Sequence, residues 1–337
     1  MTNSFNEFSS AKLFLIIGSN MTEAHPVAAT LVKNAVVNRG ARMILIDPRA
    51  HRLAEFADIH CRLNVGSDIA LLNGIMHVLI AENLYDKDYV ENFTENFEAL
   101  KAKAAEYPPE RASAISGVSA DTIRAAARML ASANAAMVIY TLGITEHVCG
   151  THNVMSVANL QMLLGNVGLE GGGVNPLRGQ NNVQGACDMG ALPNVFPGYQ
   201  RVEDAAVRAK FEKAWDVKEL PGKEGLKSPT MLELAKSGNV KALWIFGENL
   251  ANSEPDISHV ERCLESCEFL VCQDIFPTET TRFADVIFPA AAWSENEGMF
   301  TSSERRVNMT RAASKAPGAA MPNWWIFKQI AKRFGQE

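Results

Sequence analysis

Residues 12–49 read KLFLIIGSNMTEAHPVAATLVKNAVVNRGARMILIDPR and contain the pattern that decides the fold class. An apolar strand, Lys12–Gly18, ends in glycine, and a helical stretch then runs from Pro26 to Asn38. A second apolar strand, Arg42–Ile46, ends at an Asp-Pro-Arg turn. A strand, a helix and a second strand in this order form a βαβ unit, which requires a parallel sheet.

The same pattern continues along the chain. Asp68 is placed to cap a helix over Ile69–Ala81, and Ser119 is placed to cap another over Thr122–Ala131. Further elements are predicted as strands Ala135–Leu142, Ala242–Phe246, Phe269–Cys272 and Asp285–Phe288 and as a helix Ile257–Cys267. We therefore predict an α/β protein with two Rossmann-like domains whose sheets are mostly parallel.

The chain length of 337 residues suits two domains of about 150 residues each. We place the boundary after residue 178, which gives domains 1–178 and 179–337. Clustered charges and a Pro-Gly pair predict a surface insertion near 200–230 in the second domain. Residues 165–190 are rich in Gly and Asn and show little helix or strand periodicity. A long ordered loop of this composition is more often functional than decorative.

Composition argues against several classes of protein. The formal net charge of -6, with no Lys/Arg-rich run, argues against nucleic-acid binding. The apolar runs fall far short of the roughly 20 residues that a membrane helix needs. The 6 scattered cysteines indicate a reducing compartment, so we expect the cytoplasm, although an export signal of a longer parent would lie upstream. Cys263 and Cys267 are too few for zinc or an iron–sulfur cluster, so no metal site is predicted within the chain.

Small or polar clusters follow several predicted strands, at 18–20, 47–49, 142–143, 247–249 and 273–274. In open parallel sheets, ligands bind beyond the carboxyl ends of the strands, where glycines admit close approach and helix N-termini favour phosphate. A single glycine after a strand is usually only a turn, but two such sheets predict a large nucleotide-like ligand, or two of them. Because the first cluster is not G-x-G-x-x-G, an ordinary nicotinamide site is disfavoured.

A series of segments carries a specific resemblance when taken in chain order. They are GSNMTEAHP at 18–26, DPR at 47–49, NVGSDIALL at 64–72, GITEH at 143–147, RGQNNVQGACDMG at 178–190, ADVIFP at 284–289 and ENEG at 295–298. Together they resemble the molybdopterin oxidoreductases of the formate dehydrogenase type, and the run at 178–190 points to formate dehydrogenases within that superfamily. The resemblance is to the central portion of the catalytic (alpha) subunit, and it implies the central α/β domains of the formate dehydrogenase and DMSO reductase fold.

In that family, molybdenum or tungsten is held by two molybdopterin guanine dinucleotides (bis-MGD), and each α/β domain contributes loops to one of them. The resemblance implies that the first dinucleotide is lined by Gly18, Asn20, Glu23, Asp47, Arg49, Gly66 and Asp68, with Gly143 and Gln180 near the metal end. It implies that the second is lined by Gly247, Glu248, Asn249, Gln273, Asp274 and Thr278. Carboxylates suit guanine, whose N1–H and N2–H₂ edge donates two parallel hydrogen bonds, and Arg49 suits the pyrophosphate.

Arg178 is the predicted substrate residue. A guanidinium pairs bidentately with a carboxylate, and formate is the smallest carboxylate. His147 follows a predicted strand end, where it is a second catalytic candidate as a proton relay or a simple hydrogen-bond partner of the cofactor. We expect His25, before Pro26, to be structural.

Several parts of the family's pattern are absent from the sequence. It has no CxxC for the 4Fe–4S cluster of the family's N-terminal region, no Cys-His pair for the metal ligand, and no C-terminal cofactor-capping domain. We therefore expect a cofactor-binding central part of a formate dehydrogenase that is inactive alone. Its expected partners are formate or CO₂, the remainder of its subunit, and an iron–sulfur or NAD-linked electron-transfer subunit. A selenocysteine codon upstream, read as a stop, would explain the start at Met1, and trimming of a longer protein is the alternative.

Two other functions stay open from the sequence. The chain can belong to another molybdopterin oxidoreductase, such as a nitrate reductase or the large subunit of an NADH–quinone oxidoreductase, although the run at 178–190 argues against both. It can also be a non-catalytic nucleotide-binding or assembly protein.

Overall fold

The computed structural model describes residues 1–336, which form two compact units. The first unit comprises Met1–Asn181 together with Ser302–Arg306, and the second comprises Asn182–Thr301 and the chain from Val307 onward. Ser302–Arg306 falls within the predicted second domain but lies in the first unit, where it hydrogen-bonds to the N-terminal segment.

The first unit is built on a five-stranded sheet in which every strand pair is parallel. The strand order is β3-β2-β1-β4-β5, as in doubly wound nucleotide-binding sheets. Its strands are β1 Leu13–Ile17, β2 Arg42–Ile46, β3 Ile59–Cys61, β4 Ala136–Tyr140 and β5 Val174–Pro176. Its helices are α1 Met21–Ala24, α2 Pro26–Arg39, α3 Asp68–Ala81, α4 Lys87–Phe93, α5 Phe97–Ala105, α6 Pro109–Ser116, α7 Ala120–Ala131, α8 Leu142–Thr145 and α9 Gly150–Leu163.

Strand β1 lies at the centre of this unit, and all of its residues are buried. Leu13, Leu15 and Ile17 belong to the core that α3, α7 and α9 complete, whereas Phe14 and Ile16 belong to the core under α2. Each fully buried aliphatic or aromatic side chain contributes about 1.5–3 kcal/mol. Burial on both faces explains why the strand reads as a continuous apolar run rather than an alternating one.

The second unit contains a three-stranded parallel sheet in the order β10-β9-β8, and two short antiparallel hairpins. Its strands are β6 Val195–Phe196, β7 Gln200–Arg201, β8 Ala242–Phe246, β9 Phe269–Asp274, β10 Val286–Pro289, β11 Gly298–Thr301 and β12 Val307–Thr310. Its helices are α10 Val183–Asp188, α11 Ala205–Trp215, α12 Ser228–Lys236, α13 Leu250–Ser253, α14 Ile257–Glu265 and α15 Asn323–Arg333. Leu232 of α12 and Val260 of α14 pack with Leu270 of β9 in the core of this unit.

The predicted α/β class with mostly parallel sheets is confirmed, but local details differ. The Gly- and Asn-rich stretch 165–190 contains β5 and α10, where we predicted little regular structure. Asp68 is the first residue of α3 rather than its cap, because Ser67 occupies the N-cap position. Ser119 caps α7 as predicted, accepting a hydrogen bond from the Thr122 backbone. The segment 200–230 includes helix α11, which packs its Phe211 against Phe196.

None of the helices found between residues 1 and 336 is long and apolar enough to cross a membrane.

Candidate functional site

A cleft of about 340 Å³ opens at the carboxyl edge of the first unit's sheet. It is lined by residues that follow β1, β2, β3 and β4, namely Gly18, Asn20, Ile46, Asp47, Pro48, Arg49, Leu63, Val65, Gly66, Asp68, Thr141, Gly143 and His147. In the order β3-β2-β1-β4-β5, the chain winds one way from β1 to β3 and the other way through β4 and β5. The cleft lies where that direction reverses, between β1 and β4, which is the usual ligand position in such sheets.

Most of the predicted site residues of the first domain line this one cleft: Gly18, Asn20, Asp47, Arg49, Gly66, Asp68, Gly143 and His147. Three others lie outside its lining. Glu23 is exposed on α1, where its charge acts on the nearby His51. Gln180 is exposed in the loop after β5, and Arg178 is partly buried at the start of that loop.

Gly18 and Gly143 are required by packing between two loops. A methyl group on Gly18 would lie 2.6 Å from the backbone carbon of Gly143, and Gly18 has a φ of +57°. The Gly143 amide donates to the Gly18 carbonyl over 3.1 Å, and the Thr141 hydroxyl donates to the same carbonyl over 2.8 Å. These glycines therefore bring the ends of β1 and β4 together. Gly66 differs, because a methyl group there would meet no atom within 4 Å.

Asp47 is buried at the end of β2, with 7% of its surface exposed. Its Oδ1 accepts a hydrogen bond of 2.8 Å from the Arg49 backbone, and its Oδ2 lies 3.6 Å from His51 Nε2, beyond hydrogen-bond reach. Burial lowers the pKa of the His51 imidazole, although the Asp47 charge opposes that shift. The local turn thus fixes the direction of the Asp47 carboxylate through a backbone hydrogen bond to Oδ1.

Asp68 is the second carboxylate of the cleft and is 5% exposed at the first position of α3. Burial raises the pKa of its carboxyl group and the Asp47 charge adds to the rise, while its own backbone amide and His147 oppose it. Two nearly buried carboxylates facing one cleft are costly unless a ligand supplies hydrogen-bond donors. The cleft therefore suits a ligand with an N–H-rich edge.

His147 lies in the cleft wall after α8. Its Nε2 bonds to the Gly143 carbonyl over 2.9 Å. Because a carbonyl only accepts, Nε2 is the protonated nitrogen in the neutral ring and Nδ1 is the acceptor. His147 thus keeps one nitrogen able to take up a proton.

Arg178 follows β5, immediately after Leu177 continues the sheet through a hydrogen bond of 3.0 Å to the Tyr140 carbonyl. Burial raises the pKa of the Tyr140 hydroxyl, and the positive charge of Arg178 opposes that rise. The Arg178 charge thus acts on Tyr140, the last residue of β4.

The predicted residues of the second unit cluster around the ends of β8 and β9, largely bonded within their own loops. Asn249 Oδ1 accepts from both the backbone and the hydroxyl of Thr280, and its amide donates to Glu279. Glu248 accepts from Ser253 over 2.5 Å, and Asp274 accepts from the Ile275 backbone over 2.7 Å.

The remaining residues of that set are arranged differently from one another. Gln273 is 1% exposed and donates to Asn323 over 2.8 Å, so its side chain is directed into the unit and not to an open edge. Thr278 is partly buried and its backbone bonds to the Thr281 hydroxyl. Gly247 is exposed with a φ of +63° and open space on its Cα.

Sequence reasoning missed Thr141, His51, His60 and Ser303. Thr141 stands directly before the quoted strand-end glycine, and its position after an apolar strand was a usable signal. His60 bonds to the Asp47 carbonyl over 3.0 Å from the neighbouring strand, and Ser303 bonds to Arg178 across 125 residues. No local sequence pattern predicts contacts between residues so far apart in the chain.

Within residues 1–336, no group of three or more His, Cys, Asp or Glu side chains is arranged to hold a metal ion. Cys263 lies 3.4 Å from His259 Nε2, and Cys267 bonds to backbone carbonyls. Burial raises the pKa of Cys61 to about 12 and that of Cys272 to about 11, so both thiols are inert at neutral pH.

Comparison with known proteins identifies relatives of this chain. The chain is 48% identical over 335 residues to F420-dependent formate dehydrogenase 2 subunit alpha of Methanococcus maripaludis, covering 99% of this chain and 49% of that protein. It is 44% identical to formate dehydrogenase H of Escherichia coli, covering 99% of this chain and 47% of that protein. The chain thus spans about half the length of these relatives.

Among solved structures, acetylene hydratase from Pelobacter acetylenicus has the same fold, with a TM-score of 0.78 at 24% identity. That match covers 99% of this chain and 48% of the hydratase. The family model described as molybdopterin oxidoreductase matches residues 1–333. The chain therefore belongs to the molybdopterin oxidoreductase family.

Proposed function

We propose that this chain is the cofactor-binding central part of a formate dehydrogenase, which oxidises formate to CO₂ at a molybdenum or tungsten centre held by bis-MGD. The observation that carries the proposal is that predicted residues from distant parts of the sequence lie together. Residues drawn from separate segments by sequence reasoning, such as Asn20, Asp47, Asp68 and His147, line one cleft at the reversal point of the sheet. The names and identities of the relatives agree with this assignment.

The cleft fits one end of such a cofactor. Its volume of about 340 Å³ is at the lower end of the range for ligand sites, so it suits a nucleotide-sized part and not a whole dinucleotide. Asp47 and Asp68 would accept the two parallel N–H donors of guanine, which would relieve the cost of their burial. Arg49, exposed on the rim, would pair with the pyrophosphate, and the open side of Gly66 would admit it.

The bound metal centre would supply the acceptor for the two electrons removed from formate. Arg178 would bind the formate carboxylate with two parallel hydrogen bonds and orient its C–H bond. His147 lines the same cleft as Asp47 and Asp68, so it would hydrogen-bond the cofactor through Nδ1, because Nε2 is held by Gly143. The proton that the oxidation releases would pass to a base near the metal in the remainder of the subunit. Gln180 would lie near the metal end of the first dinucleotide, on the same loop as Arg178.

The second dinucleotide would be held by the second unit, along the edge formed by Gly247, Glu248, Asn249, Asp274 and Thr278. Gln273 would act from behind this edge, because its side chain is buried against Asn323. One α/β unit would thus serve each dinucleotide, with the division near residue 178.

The metal ligand, the 4Fe–4S cluster and the capping domain would come from the remainder of the subunit. The isolated chain would therefore be inactive, and electrons would leave through an iron–sulfur or NAD-linked subunit. We also propose a cytoplasmic location, because the scattered cysteines suit a reducing compartment.

Formate-dependent dye reduction by protein expressed from the whole reading frame tests this function. Arg178→Ala should lower kcat/KM for formate by about 100-fold or more, because orientation of the substrate is lost. Arg201→Ala removes a surface arginine of the second unit and should leave the rate unchanged. A protein loaded with metal and pterin that does not oxidise formate but reduces nitrate would contradict the proposal.

A further inference from the structure

We propose that His25 and Ser303 are positioning residues that hold the backbone of Arg178 from both sides, an inference that rests on the function proposed for Arg178. His25 Nε2 lies 2.7 Å from the Arg178 carbonyl oxygen. The Arg178 amide donates to Ser303 Oγ over 3.1 Å. The partners are 153 and 125 residues away in sequence, so neither contact is part of a local turn.

These two contacts lie where the chain leaves the sheet and enters an exposed loop. Leu177 is the last residue tied to the sheet, through the Tyr140 carbonyl, and its side chain is buried. Gly179 and Gln180 beyond Arg178 are exposed, and a methyl group on Gly179 would meet nothing within 4 Å. The hydrogen bonds from His25 and Ser303 therefore hold one more residue of the backbone in place beyond Leu177. That residue is Arg178, which carries the guanidinium.

His25 is itself held between two helices. Its amide donates to the Met21 carbonyl of α1 over 3.0 Å, and its carbonyl accepts from Ala29 of α2 over 2.9 Å. Its ring must donate through Nε2, because the Arg178 carbonyl only accepts. The ring Nδ1 is buried and has no hydrogen-bond partner within the described chain, so the bond to Arg178 is the polar contact that the ring makes.

Ser303 is held by a turn whose tip is Ser302–Arg306. The turn closes on itself through hydrogen bonds of 2.9 Å between Ser302 and Arg306 and between Arg305 and Ser302. It is anchored to the N-terminal segment, because Glu304 accepts from the Phe5 amide over 2.8 Å and Arg305 donates to the Thr2 carbonyl over 3.1 Å. An anchored turn presents the Ser303 hydroxyl oxygen at a fixed point.

The consequence for the reaction is positional. A substrate group displaced by about 1 Å can cost on the order of 100-fold in rate, so a carboxylate-binding arginine benefits from a fixed backbone. Loss of either contact should let the loop that begins at Arg178 move, without removing any group that touches formate.

Tryptic cleavage of the Arg178–Gly179 bond gives a readout that does not depend on activity. In the cofactor-free protein from the whole reading frame, His25→Leu should speed cleavage at this bond about tenfold, because local opening exposes it. His25→Gln keeps an N–H donor near the position of Nε2 and should cleave at close to the wild-type rate. Cleavage after Lys223, an exposed residue of the second unit, should stay constant and serves as the internal control.

Ser303→Ala and Ser303→Thr make the same comparison for the hydrogen bond to the Arg178 amide. They test the inference even if His25→Leu does not fold. Ser303→Ala should speed cleavage after Arg178, and Ser303→Thr should restore protection. Equal cleavage in the donor-free and donor-retaining variants of His25, and in the two variants of Ser303, would overturn the inference.

A double-mutant comparison separates this inference from the proposed function. His25→Leu should lower kcat/KM for formate about tenfold in the wild type and should add nothing to Arg178→Ala, because it acts through Arg178. A full additional loss in the Arg178→Ala background would overturn the positioning role. Full formate activity of Arg178→Ala itself would instead overturn the proposed function, while the tryptic cleavage rates would still decide whether the backbone contacts hold the loop.

Discussion

The carboxyl edges of the two sheets present the same kind of sequence pattern but different structures. In the first unit, β1 and β4 are buried along their whole length, and the polar residues that follow the strands line one cleft. In the second unit, β8 and β9 are only partly buried, and the polar residues that follow them bond mainly to one another. A polar cluster after a strand therefore marks where a ligand can bind. Whether its side chains are free to bond to that ligand depends on how many of their hydrogen bonds are already made within the protein.

Asn20 and Asn249 illustrate this difference because both are N-caps that follow a Gly-containing turn. Asn20 lines the cleft, and among residues 1–336 its Oδ1 accepts from the Thr22 hydroxyl alone. Asn249 uses both ends of its amide, with Thr280 on one side and Glu279 on the other. The Asn20 amide nitrogen is available to a ligand, whereas Asn249 would serve the second dinucleotide by ordering the loop that forms its edge.

The largest expected effect is a difference in lost stability between alanine substitutions of Gly18, at the edge of the first sheet, and Gly247, at the edge of the second. Gly18→Ala should destabilise the protein by about 3 kcal/mol or more, because the new methyl group meets the Gly143 backbone and the φ is positive. Gly247→Ala should cost about 1–2 kcal/mol, since only the positive φ opposes it. Urea denaturation measures both, and equal costs would show that the close approach of Gly18 and Gly143 is not maintained in solution.

A smaller effect separates the two asparagines. Asn249→Ala should cost about 1–3 kcal/mol, because it leaves the buried Thr280 without the acceptor for its backbone amide. Asn20→Ala should cost less than about 1 kcal/mol, because its partner Thr22 is partly exposed and can bond to water. The same denaturation series checks the pair, and a larger loss for Asn20 would reverse the distinction drawn between the edges.

The smallest expected effect is a gain in stability. The pKa of Asp68 is raised in the folded protein, so folding favours its protonated form. The resulting loss of stability grows as the pH rises from the ordinary pKa of Asp to the raised one. Asp68→Asn should therefore raise Tm at pH 7, and the gain should vanish as the pH falls toward about 3.9, the ordinary pKa of Asp. Thermal melts from pH 4 to 7 measure this, and a gain for Asp68→Asn that does not change with pH would point to a cause other than ionisation.

The sequence predicted the elements whose signal is local. The strands β1, β2 and β8 are apolar runs, and the cap of α7 is a serine directly before its helix, so pattern and chemistry coincide. Strand β5 escaped prediction because it forms by pairing Val174 with Val138 of β4, and its glycine-rich flanks carry no strand signal. Its existence depends on the sheet, not on its own residues.

For the site, the sequence selected residues that the structure brings together, but it did not predict the contacts that each one makes. Asp47 and Asp68 were selected because they match positions of the molybdopterin oxidoreductases, and the cleft contains both. That Gly18 packs against Gly143, that Gln273 is turned inward, and that Ser303 reaches Arg178 are consequences of contacts between distant segments. Such contacts depend on how distant segments pack within each unit, which no short motif encodes.

The most direct test of the first unit's cleft as the guanine site is calorimetric titration of the chain with GDP and with ADP. We predict measurable binding of GDP that is at least about tenfold tighter than that of ADP and is lost in Asp68→Asn, since guanine donates two hydrogen bonds to carboxylates and adenine does not. Glu248→Gln, at the second edge, should bind GDP in this cleft as the wild type does. Equal affinity for the two nucleotides, or undiminished GDP binding by Asp68→Asn, would contradict the account.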